Sequence, residues 1–265
     1  MFPLSIVIPI YNEQLRLDKT FKALKKGFSS HGFKVKEIIF VNDGSTDSTQ
    51  KIVKKWIAAK EINTPVRLLS YKQNKGKGYA IRKGILSTNA DYILCMDADM
   101  STPLSQLRKM VKPLKQGSDI VIGTRKNSHS TVVKHQPIYR ELLGRGFTLL
   151  SNVFLNTWIT DFTCGFKIFS KSAANQIANR TQINRWGYDA EILFLATRLD
   201  FRINEVAVRW SHDEGSKVRL AVALPQTLTE LFSIRIYQLT SSYNLPSKKN
   251  LYMKPALQWI TTHLL

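Results

Sequence analysis

Asp97 and Asp99 stand one residue apart directly after the apolar run Tyr92–Met96, so two carboxylates leave the end of a strand together. Alternation along extended backbone points both side chains the same way. Like charges this close repel, and a divalent cation relieves the repulsion. Carboxylate oxygens are hard ligands suited to Mg2+ or Mn2+, which keep part of their shell on substrate phosphate. Two other readings stay open for these residues alone. One is a pair of solvated turn aspartates. The other is a phosphohydrolase of the haloacid dehalogenase type with an aspartyl nucleophile, although Met100-Ser101 stands where that motif has x-Thr and a full array of strands and helices precedes it.

Other polar clusters recur at the ends of apolar runs. Asn42-Asp43-Gly44-Ser45 follows one such run and opens the next helix, where Asp43 can accept hydrogen bonds from base or ribose and Gly44 permits a tight turn. The same four residues also make an ordinary turn and helix cap. Five basic residues lie between Lys72 and Lys83 around Gly76-Lys77-Gly78, a centre that can bring backbone amides and Lys77 against phosphate. The segment lacks Gly-x-x-x-x-Gly-Lys-Ser/Thr and is not a P-loop. Gly123-Thr124-Arg125 ends a further run, and Arg125 offers a planar fork for phosphate oxygens. Residues 161–167 (DFTCGFK) and 185–189 (RWGYD) mix aromatic, charged and glycine residues, so Lys167, Arg185, Trp186 and Asp189 are candidates for holding sugar or acceptor. Lys217 in Gly215-Ser216-Lys217 is a further anion contact. The five histidines form no cluster.

The elements that must position these residues follow from periodicity. Branched apolar runs at Leu4–Ile10, Glu37–Val41, Val66–Tyr71, Tyr92–Met96 and Asp119–Gly123 read as strands, with helical stretches between them from about Glu13 to Ser29 and on to about Ala59. This alternation predicts an α/β fold with a mostly parallel sheet covered by helices, in which ligands bind beyond the carboxyl ends of the strands. Beyond Asn127 the pattern changes. Residues 138–159 form a long helical stretch carrying Leu142, Leu143, Phe147, Leu150 and Phe154, Glu205 and Trp210 bracket a strand, and Pro225 starts a second helical stretch.

Composition bounds the class. A hydrophobic share of 43% and an aromatic share of 10% are those of a chain able to bury a core, and 39 basic against 19 acidic residues give +20, which favours an anionic partner. Helix-turn-helix, zinc and aromatic RNA-binding signatures are missing, so nucleic acid is not the expected partner. Cys95 and Cys164 are too few for a disulfide framework and fit buried, reduced thiols. The chain opens on a strand rather than on a secretory signal, and no run approaches the ~18 apolar residues of a membrane span.

The segments VIPIYNE (7–13), VNDGSTD (41–47), NKGKGYAIRKG (74–84), MDADMSTP (96–103) and GTR (123–125), followed in order by DFTCGFKIF, RWGYDAEIL, EVAVRW and EGSK, make the sequence resemble glycosyltransferase family two, and within it the polyprenyl- and dolichyl-phosphate glycosyltransferases that form β-glucosyl products. The resemblance spans roughly residues 4 to 243. It implies a single GT-A (Rossmann-like) domain over 1–243, with a nucleotide-binding half (1–126), an acceptor and membrane-interface half (127–243) and a tail (244–265). It also implies metal-dependent inverting transfer of a hexose, glucose from UDP-glucose, to a polyprenyl phosphate. A GDP-mannose donor and a hydroxyl acceptor are the alternatives within the family.

By that resemblance Pro9, Tyr11, Glu13, Asp43 and Lys77 surround the nucleotide, Asp97 and Asp99 hold Mg2+ or Mn2+ and the diphosphate, and Arg125 contacts phosphate. Thr124 departs from the commoner serine, and the membrane helices of several relatives are missing. The expected location is therefore the cytoplasmic face of a membrane, held peripherally by the amphipathic stretches at 138–159 and 226–243 or through a membrane-protein partner.

Overall fold

The computed structural model describes residues 1–27, 32–213 and 220–246. Nine strands and eight α-helices follow one another among these residues. The first half alternates as the apolar runs predict: β1 (Phe2–Ile10), α1 (Leu17–Lys25), β2 (Phe33–Asp43), α2 (Thr49–Ala58), β3 (Val66–Tyr71), α3 (Lys77–Leu86), β4 (Tyr92–Cys95), α4 (Leu107–Lys115) and β5 (Ile120–Thr124). The second half contributes β6 (Thr131–Lys134), α5 (Ile138–Leu155), β7 (Lys167–Ser170), α6 (Lys171–Ala178), α7 (Tyr188–Arg198), β8 (Ile203–Ala207), β9 (Arg209–Ser211) and α8 (Leu220–Leu239).

Seven strands form one sheet in the order β3-β2-β1-β4-β7-β5-β8, with β7 antiparallel to both neighbours and the remaining pairs parallel. β6 and β9 pair separately. The chain leaves β1 toward β2 and β3 and returns to its other side at β4, so strand order reverses between β1 and β4. The carboxyl ends of these strands then diverge into a crevice.

Strand alternation sorts the core into two layers. Leu4, Ile6, Ile8 and Ile10 of β1 face α1, α2 and α4 through Leu17, Phe21, Val53, Trp56, Leu107 and Met110. Val7 faces the opposite way, toward Ala80, Ile81 and Ile85 of α3, in a cluster that continues through α6, α7 and Leu231 of α8. Phe21 stacks on Trp56 at 4.3 Å between ring centroids, with Phe40 edge-on to both. Both cysteines are free and buried, as expected, and burial pushes the Cys95 thiol up to about 12 and the Cys164 thiol up to about 11.

Three boundaries differ from the sequence reading, each for a local reason. α1 begins at Leu17 rather than near Glu13, because Asn12 takes φ 55° and Glu13–Arg16 form a turn closed by Arg16 N–H to the Glu13 carbonyl at 2.9 Å. α5 stops at Leu155 because Asn156 adopts the left-handed conformation (φ 55°) that terminates helices. Pro225 lies inside α8 instead of opening it.

The stripe expected on α5 is also redrawn. Phe147 is only 9% exposed and belongs to the core, and Phe154 packs edge-on against Phe232 of α8 at 4.9 Å. The exposed apolar face runs through Ile138, Leu142, Leu149 and Val153, with Tyr139, Leu143 and Leu150 along one flank. Phe232, Ile236 and Leu239 of α8 are exposed at helical spacing. No helix among the described residues is long and apolar enough to cross a membrane.

Candidate active site

The crevice end of the sheet gathers the expected residues. Pro9 lies on β1, with Tyr11 and Glu13 just past its end. Asn42 and Asp43 end β2, Asp97 and Asp99 follow β4, Arg125 follows β5, and Lys167 opens the antiparallel β7 opposite Cys95 and Ile122.

The loop after β1 is fixed to the start of α2. The Asn12 amide oxygen accepts from the backbone N–H groups of Thr46 (2.8 Å) and Asp47 (3.3 Å), Asn12 N–H donates to Ser45 Oγ (2.9 Å), and Glu13 N–H donates to Thr49 Oγ1 (2.7 Å). Glu13 forms a two-pronged pair with Arg16 at 2.5 and 2.6 Å, while Tyr11 is 42% exposed.

Asp43 is buried. Its carboxylate accepts from the backbone N–H groups of Lys75 (2.7 Å) and Gly76 (2.9 Å) and from the Asn74 side-chain amide (2.8 Å). Much of its acceptor capacity therefore shapes the basic loop. Gly44 (φ 66°) lies against that loop, since an added Cβ would meet Asn74 N and Gln73 C at 2.7 Å. The loop also abuts the segment before α7. A Cβ on Gly76 (φ 105°) would fall 2.4 Å from the Asn184 carbonyl and 2.8 Å from Arg185 Cγ. Arg185 thus stands beside Gly76, and both it and the following Trp186 are exposed.

Lys77, at the start of α3, places its ammonium 2.5 Å from Asp97 Oδ1. Burial opposes ionisation of Asp97, but Lys77, Lys167 and Arg125 together hold its carboxyl below the usual carboxylate range. Asp99 is pushed the other way, by burial and then by the charge of Asp97, although Ser101 N–H donates to its Oδ1 at 2.9 Å. Gly165 closes the other side of Asp97, because an added Cβ there would lie 2.1 Å from Oδ2 and 2.5 Å from Cγ.

Among the described residues no set of three or more His, Cys, Asp or Glu side chains could hold a metal. Asp97 and Asp99 are two carboxylates following the end of β4, a number that fits an ion completing its shell on a diphosphate. The Lys77 ammonium shows that this carboxylate accepts a cation at its surface.

Lys167 and Asp189 occupy a different place from the one expected of sugar contacts. They form a buried ion pair at 2.5 Å, and the remaining Lys167 donors go to the carbonyls of Phe162 (2.9 Å) and Cys164 (2.7 Å). All three ammonium donors are engaged within the protein, so this pair fixes the 162–167 segment beneath Asp97. Lys217 lies outside the described residues.

Arg125 is held by partners that the sequence reading missed. Its Nε and Nη2 donate to the two oxygens of Asp161 at 2.7 Å each, its backbone N–H to Asp161 Oδ2 at 3.0 Å, and Nη2 also to Thr163 Oγ1 at 2.7 Å. The guanidinium lies 5.3 Å from the centroid of the Trp210 ring. Burial works against both charges of this pair, yet their attraction holds Asp161 well below the usual carboxylate range and Arg125 above its ordinary value. Nη1 has no hydrogen-bond partner among the described residues, leaving two N–H groups in a guanidinium whose orientation is fixed. The neighbouring Lys126 donates to the Gly144 carbonyl (3.0 Å) and to Thr148 Oγ1 of α5, and burial lowers its ammonium to about 8. The Arg125 side of the crevice is thereby tied to the helix with the exposed apolar face.

A mostly parallel sheet with paired aspartates and basic side chains at its crevice is the arrangement of a GT-A-type α/β fold. The family model for glycosyl transferase family 2 matches residues 5–178, and the chain belongs to that family. Two relatives are named dolichyl-phosphate beta-glucosyltransferase. The one from Dictyostelium discoideum is 36% identical over 92% of this chain and 77% of its own length, and the one from Homo sapiens is 33% identical over 94% and 79%. Among solved structures, glucosyl-3-phosphoglycerate synthase from Mycobacterium tuberculosis, in complex with Mn2+, UDP and phosphoglyceric acid, shares the fold with a TM-score of 0.62. It is 18% identical, over 93% of this chain and 80% of that one.

Proposed function

We propose that this glycosyltransferase moves a glucosyl group from UDP-glucose to the phosphate of a polyprenyl lipid of the dolichyl type, giving a β-linked glucosyl phospholipid. Supporting this reading are the relatives of that name, which align with more than nine-tenths of the chain. The observation that carries it is on the acceptor side, where Arg125 is fixed by Asp161 with Nη1 still able to donate to an anion.

In the proposed reaction an oxygen of the lipid phosphate attacks the anomeric carbon. A new C–O bond forms as the bond from that carbon to the UDP oxygen breaks, and the configuration inverts from α to β. A phosphomonoester bears about −1.5 to −2 charges near neutral pH, so its oxygen attacks without help from a protein base. Asp97 and Asp99 would hold a divalent ion, Mg2+ or Mn2+, which would supply charge stabilisation for the leaving diphosphate. Tyr11, Asp43 and the loop that Asp43 shapes receive the nucleotide, and Lys77 passes from Asp97 to the diphosphate. Arg185, beside that loop, and the exposed Trp186 next to it border the sugar.

Attachment to the membrane follows from the acceptor, whose prenyl tail stays in the bilayer. The exposed apolar faces of α5 and α8 meet through Phe154 and Phe232 and suit the interface, with the net charge of +20 adding attraction to anionic lipid. On this reading the protein is peripheral, on the cytoplasmic face of the membrane.

Incubation with labelled UDP-glucose, GDP-mannose or UDP-N-acetylglucosamine and a polyprenyl phosphate, followed by organic extraction, tests the assignment. Lipid-soluble label from UDP-glucose is the expected result. A higher kcat/KM with GDP-mannose overturns the donor, and no label in the lipid phase overturns the acceptor.

A further inference from the structure

Glu205 lies on β8 opposite Ile122 of β5, the strand whose end carries Arg125. Its carboxylate, on a half-buried residue, is turned toward the Thr160-Asp161 segment. Oε1 accepts from Thr160 N–H at 3.0 Å, from Thr160 Oγ1 at 2.7 Å and from Asp161 N–H at 3.3 Å, and Oε2 lies 3.1 Å from Thr160 N. Thr160 Oγ1 is also 2.9 Å from Thr124 Oγ1, in the residue before Arg125. One carboxylate therefore gathers both backbone donors of the Thr160-Asp161 pair, and Asp161 is the residue that clamps Arg125 at Nε and Nη2.

We infer that Glu205 is a positioning residue for the acceptor phosphate, acting on Arg125 through Thr160 and Asp161. Arg125 reaches its orientation only if the Asp161 carboxylate is correctly turned. Asp161 sits on a loop between the end of α5 and β7, without a ladder of its own to fix it. Two side chains tie the stretch that leads into Asp161. Asn152 of α5 holds Ile159, donating to its carbonyl at 2.7 Å and accepting from its N–H at 2.7 Å. Glu205 holds the next two residues. Burial disfavours an ionised carboxylate, and Glu205 is pushed above its ordinary range by it. Such a group is retained only with its donors in place. The Glu205 contacts fall on Thr160, three of them, and on the backbone N–H of Asp161, the residue that orients Arg125.

This inference rests on the reading of Arg125 as the acceptor-phosphate ligand, and the experiment separates the two. Initial rates are measured for the parent, Glu205→Ala, Glu205→Gln and Arg125→Lys, varying UDP-glucose and a polyprenyl phosphate in detergent independently. Glu205→Ala is expected to raise the acceptor KM at least tenfold with the donor KM within twofold of the parent. Glu205→Gln keeps Oε1 as acceptor but turns a donor toward Thr160 N–H, so an intermediate rise of about threefold is expected, and this variant carries the test if the alanine chain does not fold. In Arg125→Lys the fork is gone, and adding Glu205→Gln to it is expected to change the acceptor KM no further.

An unchanged acceptor KM in folded Glu205→Ala, beside a raised one in Arg125→Lys, overturns the role of Glu205 alone. Equal rises in donor and acceptor KM also overturn it, because that is the signature of general loosening. An unchanged acceptor KM in Arg125→Lys overturns the reading of Arg125 and the inference with it.

Discussion

Replacing Gly165 with alanine isolates the placement of Asp97 from the rest of the site. The added methyl carbon would sit 2.1 Å from Asp97 Oδ2, 2.5 Å from Cγ and 2.8 Å from Oδ1. Contacts under 3.0 Å are essentially never sustained by a Cβ, so the carboxylate must retreat by about 1 Å, and a misplacement of that order costs about 100-fold in rate. The retreat also disturbs the geometry of the 2.5 Å contact with Lys77. Gly165 is outside the left-handed region, so alanine adds no backbone strain and the fold should survive. The assay is kcat with saturating UDP-glucose and polyprenyl phosphate, with thermal melting as the control for folding. Gly146→Ala on α5 is the matched control, because a Cβ there meets nothing within 4 Å, and it should keep full activity. Parent-like kcat in folded Gly165→Ala would refute the reasoning, since chemistry would then tolerate a displaced Asp97.

Three further outcomes are expected. EDTA should abolish transfer by the folded protein, and Asp99→Ala should do the same with little change in melting temperature, both measured as label reaching the lipid phase. Glu191 is fully buried and accepts from Tyr243 OH at 2.8 Å and from the N–H groups of Gln182 and Ile183, yet burial raises its carboxyl to about 7 from 4.5. The folded state then binds the extra proton between these values, so stability should fall as pH rises from 4.5 to 7, by roughly 3 kcal/mol in total, and level off above. Denaturant titrations of the parent and Glu191→Gln check this, with a flatter profile expected in the variant. On α5, Leu142→Glu with Val153→Glu should abolish sedimentation with anionic liposomes while UDP binding persists. Phe147→Glu is expected to unfold the chain instead, because that ring is in the core.

The apolar runs made β1 to β5 legible, and with them the strand ends where Asp43, Asp97 and Arg125 stand. They did so because parallel strands buried on both faces leave continuous hydrophobic stretches. β7 was not legible. It has four residues, begins with a buried lysine and follows a run of aromatics that reads equally well as a sugar platform. α7 escaped for the opposite reason. Nearly every side chain along it is buried, Asp189 and Glu191 included, so no amphipathic period survives. The pairs Lys167–Asp189 and Arg125–Asp161 join residues 22 and 36 positions apart, and their charges read in the sequence as ligand contacts. Only the proximity of Asp161 to the DFTCGFK glycine offered a signal, and it did not specify which cation the aspartate would meet.

The central claim is that the acceptor supplies its own nucleophile as a phosphate, steered by Arg125. The most direct measurement compares a polyprenyl phosphate with the corresponding polyprenol, under identical UDP-glucose, metal and detergent. Transfer to the phosphate alone, as a β-linked product, is the predicted result. Comparable transfer to the alcohol would contradict the account, because a hydroxyl needs a base that this reading does not assign.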